Sequence, residues 1–270
     1  MLGRSPNERF YKMKEGKYLV YTQEKGIGVL KLNRPPYNIF EEAFYVELDE
    51  FQHYLATLDD LHCLILCAEG KSFSSGIDLN YLKKIDSQLV IRRVYWMQGL
   101  YGFWQTQSYP VISAVQGLCT GSGFEMILGT DIRIAADNAR FSLPEVCLGL
   151  SPDCGGTARL TRIVGMGQAK RLLMTGMEIA AEEALRIGLV EEVVPLDNLF
   201  DRAMQLAKIL VRNPHAAVTF AKKGVNVADE NLQAGLLFEH AQSAYCCGSE
   251  DKNRAVEGMM AMLAARKQAK

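Results

Sequence analysis

Residues 115–156 constrain the fold of this chain most, because they combine strand, glycine-turn and helix signals within a short length. The run 111–115 that leads into them is apolar, which is typical of a buried strand. The turn 117–123 contains three glycines, which can adopt backbone conformations that other residues avoid. Residues 124–128 predict the start of a helix, and alternating isoleucines then predict a second strand. The sequence therefore predicts an α/β fold.

Three carboxylates lie beside the glycine-rich turns of this segment: Glu125, Glu145 and Asp153. Glu125 falls in the first turn of the predicted helix, where an acidic side chain also suits the helix dipole. Glu145 follows Pro144 in a loop, where a glutamate is often simply solvated. A helix start next to small residues leaves backbone N–H groups free to meet an anion. We expect the three carboxylates to form the reaction centre.

Two glycine motifs that would indicate nucleotide binding fail at a required position. The run Gly121 to Gly123 continues as Phe-Glu-Met and lacks the third glycine of a dinucleotide fingerprint. The Gly-Lys-Ser run at Gly70 has Ile65 where a phosphate-binding loop needs its first glycine. The chain also has no Gly-x-Ser-x-Gly elbow, which disfavours an α/β hydrolase.

The composition is that of an ordinary globular protein, with 270 residues, 49% of them hydrophobic and 23% charged. A formal net charge of −1 gives no reason to expect a nucleic-acid partner. Seven cysteines without CxxC spacing indicate reduced thiols of the cytosol or an organelle matrix. The first residues lack an apolar signal core, and no segment reaches the ~18 apolar residues of a membrane span. We predict a cytoplasmic protein with no membrane partner.

The histidines give no indication of a metal site. Their positions do not fall at the spacing of metal ligands, and we predict that no metal is bound. They are His53, His62, His215 and His240.

The chain order predicts three regions. Residues 1–16 are polar and are expected to be a loose lead-in, residues 17–196 to be the core, and residues 197–270 to be helical; the roles of catalytic core and assembly region are implied by the resemblance described below. The core begins with two alternating segments around a glycine turn, which predict a hairpin. A helix with Phe44 and Leu48 on its apolar face is expected to follow.

The character of the chain changes to successive helices from Gln168 onward. The predicted helices are 168–175, 180–187, 197–212, 216–228, 231–246 and 251–266. The last helix has an apolar face, which packs either on its own chain or on another subunit. This face consists of Val256, Met259, Met260 and Leu263.

Three segments resemble those of the crotonase superfamily, the enoyl-CoA hydratases and isomerases. They are Phe-Ser-Ser-Gly-Ile-Asp-Leu at 73–79, Gly-Leu-Cys-Thr-Gly-Ser-Gly-Phe-Glu at 117–125, and the run 141–156, which includes Phe-Ser-Leu-Pro-Glu and Ser-Pro-Asp-Cys-Gly-Gly. Their order and spacing carry the resemblance, which extends from about residue 18 to the C-terminus. It implies an α/β fold with a ββα spiral core and a C-terminal α-helical trimerisation region, assembled as a homotrimer or a dimer of trimers (a hexamer).

The resemblance also implies an acyl-CoA thioester substrate, with coenzyme A arriving as part of it and no separate cofactor. It places an oxyanion hole at the backbone N–H groups of Ile77 and Ser122, where the family more often has glycine at the second position. Such donors are worth about 10²–10³ in rate each. Lys267 and Lys270 are candidates for contacting the CoA phosphates. The implied substrate-binding residues are Gly76, Ile77, Asp78, Leu79, Asn80, Gly121 and Ser122.

Glu125 and Glu145 match the two glutamates of the family's hydratases. Two carboxylates in one pocket repel each other and would share a proton, so that one acts as a base towards water and the other as an acid towards the α-carbon. The resemblance therefore implies an enoyl-CoA hydratase, a lyase of fatty acid metabolism that adds water to, or removes it from, a 2,3-double bond.

Asp153 leaves an alternative open. It resembles the aspartate with which the family's isomerases, including dienoyl-CoA isomerases, move protons at a remote carbon, and it could equally be the N-cap of a helix at 157–164. An enoyl-CoA or dienoyl-CoA isomerase is thus the second hypothesis. A non-catalytic member that only binds acyl-CoA is the third, although it would gain nothing from an unfavourable carboxylate pair.

Overall fold

The computed structural model describes residues 11–268, with the side chains of residues 11, 264 and 266–268 outside the description. The chain divides into two compact units, Met1–Lys208 and Ile209–Lys270. The strands are β1 Tyr11–Glu15, β2 Leu19–Glu24, β3 Ile27–Leu32, β4 Cys63–Ala68, β5 Val111–Val115, β6 Leu118–Thr120, β7 Ile132–Ala136, β8 Arg140–Ser142, β9 Ile179–Ala180 and β10 Glu192–Val194. The helices are α1 Glu42–Leu55, α2 Leu79–Leu82, α3 Ser87–Thr106, α4 Ser122–Leu128, α5 Gly156–Thr175, α6 Ala181–Arg186, α7 Leu199–Arg212, α8 His215–Glu230, α9 Leu232–Cys247 and α10 Glu250–Gln268, with 3-10 turns at Pro144–Leu148 and Leu196–Asn198.

The first unit contains two sheets. The larger has seven strands in the order β1-β2-β3-β4-β5-β7-β10, and the smaller has three in the order β6-β8-β9. The predicted hairpin is confirmed, since β2 and β3 are antiparallel with Leu19 opposite Leu32. From β3 to β10 the neighbours in the large sheet run parallel.

The two sheets are connected by a repeated pattern. After β4 the chain reaches the second layer through a single bridge between Ser74 and Cys119. After β5 it does so through β6, and after β7 through β8. Each visit is followed by helical structure: α2 and α3, then α4, then α5. This pattern brings one turn from each of the three repeats to the same side of the unit.

Helix α1 covers the large sheet with the apolar face that its spacing predicts. Phe44, Leu48, Phe51 and Leu55 are all buried, at 0–2% exposure. The ring of Phe44 stacks on that of Phe40 with the centroids 3.9 Å apart. The predicted amphipathic helix is therefore confirmed.

Helix α3 was not predicted, because Gly99 and Gly102 interrupt its aromatic run. Asp86 is its N-cap, and the Asp86 carboxylate accepts a hydrogen bond of 2.8 Å from Leu89 N–H. Tyr101 and Trp104 are fully buried, whereas Tyr95 is exposed. The aromatic residues thus serve mainly the core.

Three boundaries differ from prediction. The loose lead-in is wrong for its last part, because Tyr11–Glu15 pair with β2 as a strand; residues 1–10 lie outside the described residues. The expected end of the core at residue 196 precedes the division between the compact units, which falls after Lys208 within α7. The helices expected at 157–164 and 168–175 form α5, where non-helical Gly165 separates them.

The second unit is helical, as predicted. Phe220 of α8 contacts two rings of α9, with centroid distances of 6.2 Å to Phe238 and 5.2 Å to Tyr245. The predicted apolar face of α10 is exposed within the described residues. Its members are Val256, Met259, Met260 and Leu263. Among the described helices none is both long and apolar enough to cross a membrane.

Candidate active site

A cavity of about 840 Å³ opens where the three repeats meet in the first unit. The turn 75–77, the turn 120–122 and the segment 144–153 line it, and all three candidate carboxylates face it. Helices α2 and α3 also line it, mainly with apolar side chains. These include Leu79, Leu82, Leu89, Val90, Val94 and Met97.

Glu125 lies one turn into α4 and is only 3% exposed. Its Oε1 accepts two hydrogen bonds of 2.9 Å, from the backbone N–H groups of Cys154 and Gly156. The pKa of Glu125 is raised to about 8, mainly by burial and also by the charges of Glu145 and Asp153, while the two backbone donors oppose this shift. One carboxylate oxygen is therefore held in place, and the group readily keeps a proton near neutral pH.

Glu145 stands on the 3-10 turn Pro144–Leu148 and is half-buried. Its Oε2 is buried without a hydrogen-bond partner in the described part of the chain. Burial raises the pKa of Glu145, and so does the negative charge of Asp153. A Cβ atom at Gly121, where φ is 51°, would lie 3.1 Å from Glu145 Oε1, so only glycine leaves the carboxylate its full space.

Asp153 is exposed at the cavity rim and does not cap α5. The N-cap of that helix is Gly155, with no side-chain capping bond, and the first helical N–H, of Gly156, is directed to Glu125 instead. The capping hypothesis is therefore wrong. The carboxylate of Asp153 accepts a bond of 3.3 Å from the Cys154 thiol, and its carbonyl accepts one of 2.7 Å from Gln98 of α3.

The two expected oxyanion donors belong to turns that approach each other closely. Neither the N–H of Ile77 nor that of Ser122 donates to an acceptor within residues 11–268. A Cβ atom at Gly76 would lie 3.6 Å from Ser122 N and 2.8 Å from Thr120 O, so this turn approaches the start of α4 as closely as glycine allows. Both donors line the cavity, as a shared anion site requires.

The hydroxyl of Ser122 is engaged away from these donors. It accepts a hydrogen bond of 3.2 Å from Tyr45, a buried residue of α1. The family more often has glycine at this position. The Ser122 hydroxyl is therefore hydrogen-bonded to a core residue, and the backbone N–H of Ser122 stays available.

The expected substrate-binding residues separate into two groups. Those that line the cavity are Gly76, Ile77, Leu79, Gly121 and Ser122. Asp78 and Asn80 do not line it; the Asp78 carboxylate caps α2 by accepting bonds of 2.7 Å from Asn80 N–H and 2.9 Å from Tyr81 N–H. The side chain of Lys267 and all of Lys270 lie outside the described residues.

Three potential metal ligands approach one another at the site. The ligand atoms of Glu125, Asp153 and Cys154 lie within 4.8 Å of one another, and no histidine belongs to such a group among the described residues. Glu125 Oε1 already accepts two N–H bonds and the Cys154 thiol already donates to Asp153. The arrangement therefore fits proton transfer better than metal binding.

Sequence reasoning missed the residues that support the carboxylates. Arg159 of α5 and Gln98 of α3 both donate to carbonyl oxygens of the loop 153–154, and Tyr45 holds Ser122. None carries a recognisable motif, because their roles depend on helices that are distant in sequence.

The chain is similar to known proteins over nearly its whole length. The family model described as enoyl-CoA hydratase/isomerase matches residues 22–269. The chain belongs to the enoyl-CoA hydratase/isomerase family.

Relatives in this family include both kinds of enzyme. A short-chain-enoyl-CoA hydratase of Clostridium acetobutylicum is 35% identical over 92% of this chain and 95% of its own length. A 1,2-epoxyphenylacetyl-CoA isomerase of Escherichia coli is 34% identical over 90% of this chain and 94% of its own. The crystal structure of an enoyl-CoA hydratase from Bacillus anthracis superposes with a TM-score of 0.84 at 28% identity, covering 94% of this chain and 97% of that one. The predicted α/β crotonase fold with helices at its C-terminus is confirmed.

Proposed function

We propose that the protein is an enoyl-CoA hydratase that adds water to, or removes it from, the 2,3-double bond of an enoyl-CoA thioester. The observation that carries this proposal is the pair of carboxylates, Glu125 and Glu145, facing the same cavity as the free N–H groups of Ile77 and Ser122. Relatives named as enoyl-CoA hydratases support it.

The thioester carbonyl oxygen accepts hydrogen bonds from Ile77 and Ser122, which stabilise the negative charge of the enolate. One ionised carboxylate of the pair removes a proton from water as the oxygen bonds to C3. The π electrons move towards the carbonyl, and the protonated carboxyl of the pair delivers its proton to C2. The raised pKa values of both glutamates support a pair that holds one proton near neutral pH.

Incubation with a 2-trans-enoyl-CoA in heavy-oxygen water, followed by mass spectrometry, tests this proposal. We expect the product to gain one labelled water. A substrate of unchanged mass would contradict hydration. A non-catalytic acyl-CoA-binding member is the least favoured hypothesis, and any turnover that disappears in Glu145→Gln would exclude it.

Double-bond isomerisation is the second candidate, because Asp153 lines the same cavity and is not used as a helix cap. Its carboxylate could take a proton from a remote carbon of the acyl chain and return one elsewhere. A relative named as an isomerase supports this candidate. Incubation with a 3,5-dienoyl-CoA distinguishes it, since isomerisation changes the absorbance at constant mass.

The remaining expectations stay predictions. Assembly into a homotrimer or a dimer of trimers is supported by the exposed apolar face of α10 and is tested by light scattering of the purified protein. Hydration is neutral in redox, so no redox cofactor is needed, and the backbone donors of Ile77 and Ser122 would polarise the carbonyl in place of a metal; activity should therefore survive dialysis against a chelator. A cytoplasmic location and a role in fatty acid metabolism are supported by free cysteines and by acyl-CoA chemistry, respectively.

A further inference from the structure

A partly buried hydrogen-bond chain lies behind Glu125, and its side chains, Arg159 and Gln105, do not line the cavity. Arg159, in the first turns of α5, is half-buried. Its Nη1 donates to Cys154 O at 2.9 Å, and its Nε donates to Gln105 Oε1 of α3 at 2.9 Å. The guanidinium group is thus held at two points.

The carbonyl that Arg159 holds belongs to the residue whose N–H holds Glu125. Cys154 N–H donates to Glu125 Oε1 at 2.9 Å, and Gly156 N–H donates to the same oxygen at 2.9 Å. The backbone of residues 154–156 is therefore fixed between a carboxylate on one side and a guanidinium on the other. A shift of this loop would move the two donors that orient Glu125.

The neighbouring glycines leave room for the guanidinium group. A Cβ atom at Gly155 would lie 1.9 Å from Arg159 Nη1, and one at Gly102 would lie 3.1 Å from Nη2. Side chains at both positions would displace the guanidinium. The Arg159 site therefore depends on the loop before α5 and on α3 together.

Titratable groups, charged and neutral, face Glu125 from every element packed against it. Glu145 faces it from the 3-10 turn, Asp153 and the Cys154 thiol from the loop, and the Tyr45 and Tyr101 hydroxyls from α1 and α3. Arg159 is the cationic side chain among these groups, and it reaches Glu125 through the backbone of Cys154. Burial lowers the pKa of Arg159, while the charge of Glu125 opposes that shift.

We propose that Arg159 is a positioning residue for Glu125, which holds the loop 154–156 against the carboxylate and places a positive charge behind it. Fixing Oε1 from behind leaves Oε2 as the oxygen that exchanges protons in the cavity. The effect on catalysis rests on the proposed hydration, whereas the effect on Glu125 itself does not.

Carbon-13 NMR of protein labelled at the glutamate carboxyl carbons tests the proposal without substrate. The Glu125 signal is assigned by its loss in Glu125→Gln, and its titration is followed in wild type, Arg159→Lys, Arg159→Gln, Gln105→Ala and the control Arg162→Gln. Arg162 is an exposed arginine on the same helix.

We expect the Glu125 pKa to rise by about half a unit or more in Arg159→Gln, because removal of a nearby cation disfavours the ionised carboxylate. Arg159→Lys retains the charge and should give a smaller rise, and Arg162→Gln should give none. An unchanged Glu125 titration in Arg159→Gln and Gln105→Ala would overturn the proposal. If Arg159→Gln does not fold, the comparison of Arg159→Lys and Gln105→Ala with wild type decides in the same way.

The pH profile of kcat/KM for hydration provides the second readout. The limb governed by the glutamate pair should move to higher pH in Arg159→Gln and less in Arg159→Lys. A uniform loss of kcat with an unmoved profile would indicate a merely structural role and contradict the proposal. A protein that does not hydrate enoyl-CoA would still show the NMR shift, so the two proposals fail separately.

Discussion

The two sides of the cavity hold their glutamates differently. On the α4–α5 side, Glu125 is buried and one oxygen accepts two backbone N–H bonds. On the side of the 3-10 turn, Glu145 is half-buried and its Oε2 has no hydrogen-bond partner within the described residues. One carboxylate is oriented by two backbone donors, and the other has an oxygen that no donor of the described residues satisfies. The two glutamates are thus chemically alike, but they differ in burial and in the number of hydrogen bonds that hold them.

The largest expected effect comes from removing the ionisable group on either side. Glu125→Gln and Glu145→Gln should each lower kcat by about 10²–10⁴, because general acid–base work acts in the transition state. Binding of acyl-CoA, measured by calorimetry, should stay nearly unchanged. The double variant should lose little more than the worse single variant, since the pair works as a unit.

A surface glutamate provides the control for these substitutions. Glu192 pairs with Arg202 away from the cavity, and Glu192→Gln should leave turnover intact. A large loss of acyl-CoA binding in Glu145→Gln would contradict its assigned role. Strictly additive losses in the double variant would indicate that the two glutamates act independently.

The second prediction uses the difference in burial through pH-dependent stability. The folded-state pKa of Glu125 is raised from 4.5 to about 8, so the folded protein binds the proton more tightly than the unfolded chain. Its contribution to stability is fully present below pH 4.5 and is lost as the pH rises through about 8. Denaturant unfolding between these pH values should show stability falling by a few kcal/mol, with a smaller fall in Glu125→Gln.

If the free energy of unfolding falls with pH at the same slope in wild type and in Glu125→Gln, Glu125 is not the group that causes the fall. Glu145→Gln should change the slope in the same direction but by less, because Glu145 is only half-buried.

Motif and order in the sequence were sufficient to select residues that line one cavity, because Ile77, Ser122, Glu125 and Glu145 each belong to a contiguous recognisable segment. Their convergence follows from the repeated strand–strand–helix path, which brings those segments to one cavity. The fold class was predictable for the same reason. Strand β1 in the lead-in was not predictable, because its short, largely charged sequence shows no face that would be buried.

The supporting contacts could not be read from the sequence. The capping hypothesis for Asp153 failed because the start of α5 is occupied by a side chain from α4, some thirty residues earlier, as the Gly156 to Glu125 bond shows. Arg159 and Gln105 likewise meet across two helices. Local propensity describes neighbours along the chain, whereas these contacts are made by tertiary packing.

A third prediction separates two effects of substituting glycines near Glu145: steric displacement of its carboxylate, and backbone strain. Gly121 and Gly149 both have positive φ, 51° and 74°, but only at Gly121 would a Cβ atom meet the Glu145 carboxylate. Both alanine variants should lose about 1–3 kcal/mol of stability. Only Gly121→Ala should also lower kcat, by about tenfold to a hundredfold, because it displaces Glu145. Equal kinetic losses in the two variants would attribute the effect to strain alone.

The smallest expected effect concerns Asp153, which stands between the two sides. Because it does not cap α5, Asp153→Ala should change stability by no more than about 0.5 kcal/mol, measured by denaturant unfolding. The negative charge of Asp153 raises the pKa of both glutamates, so Asp153→Asn should lower both, by about half a unit or less at this exposed position. The pH profile of hydration should therefore move to lower pH, opposite to the shift expected for Arg159→Gln. Loss of all turnover in Asp153→Asn at unchanged stability would instead make Asp153 a proton carrier and favour isomerisation.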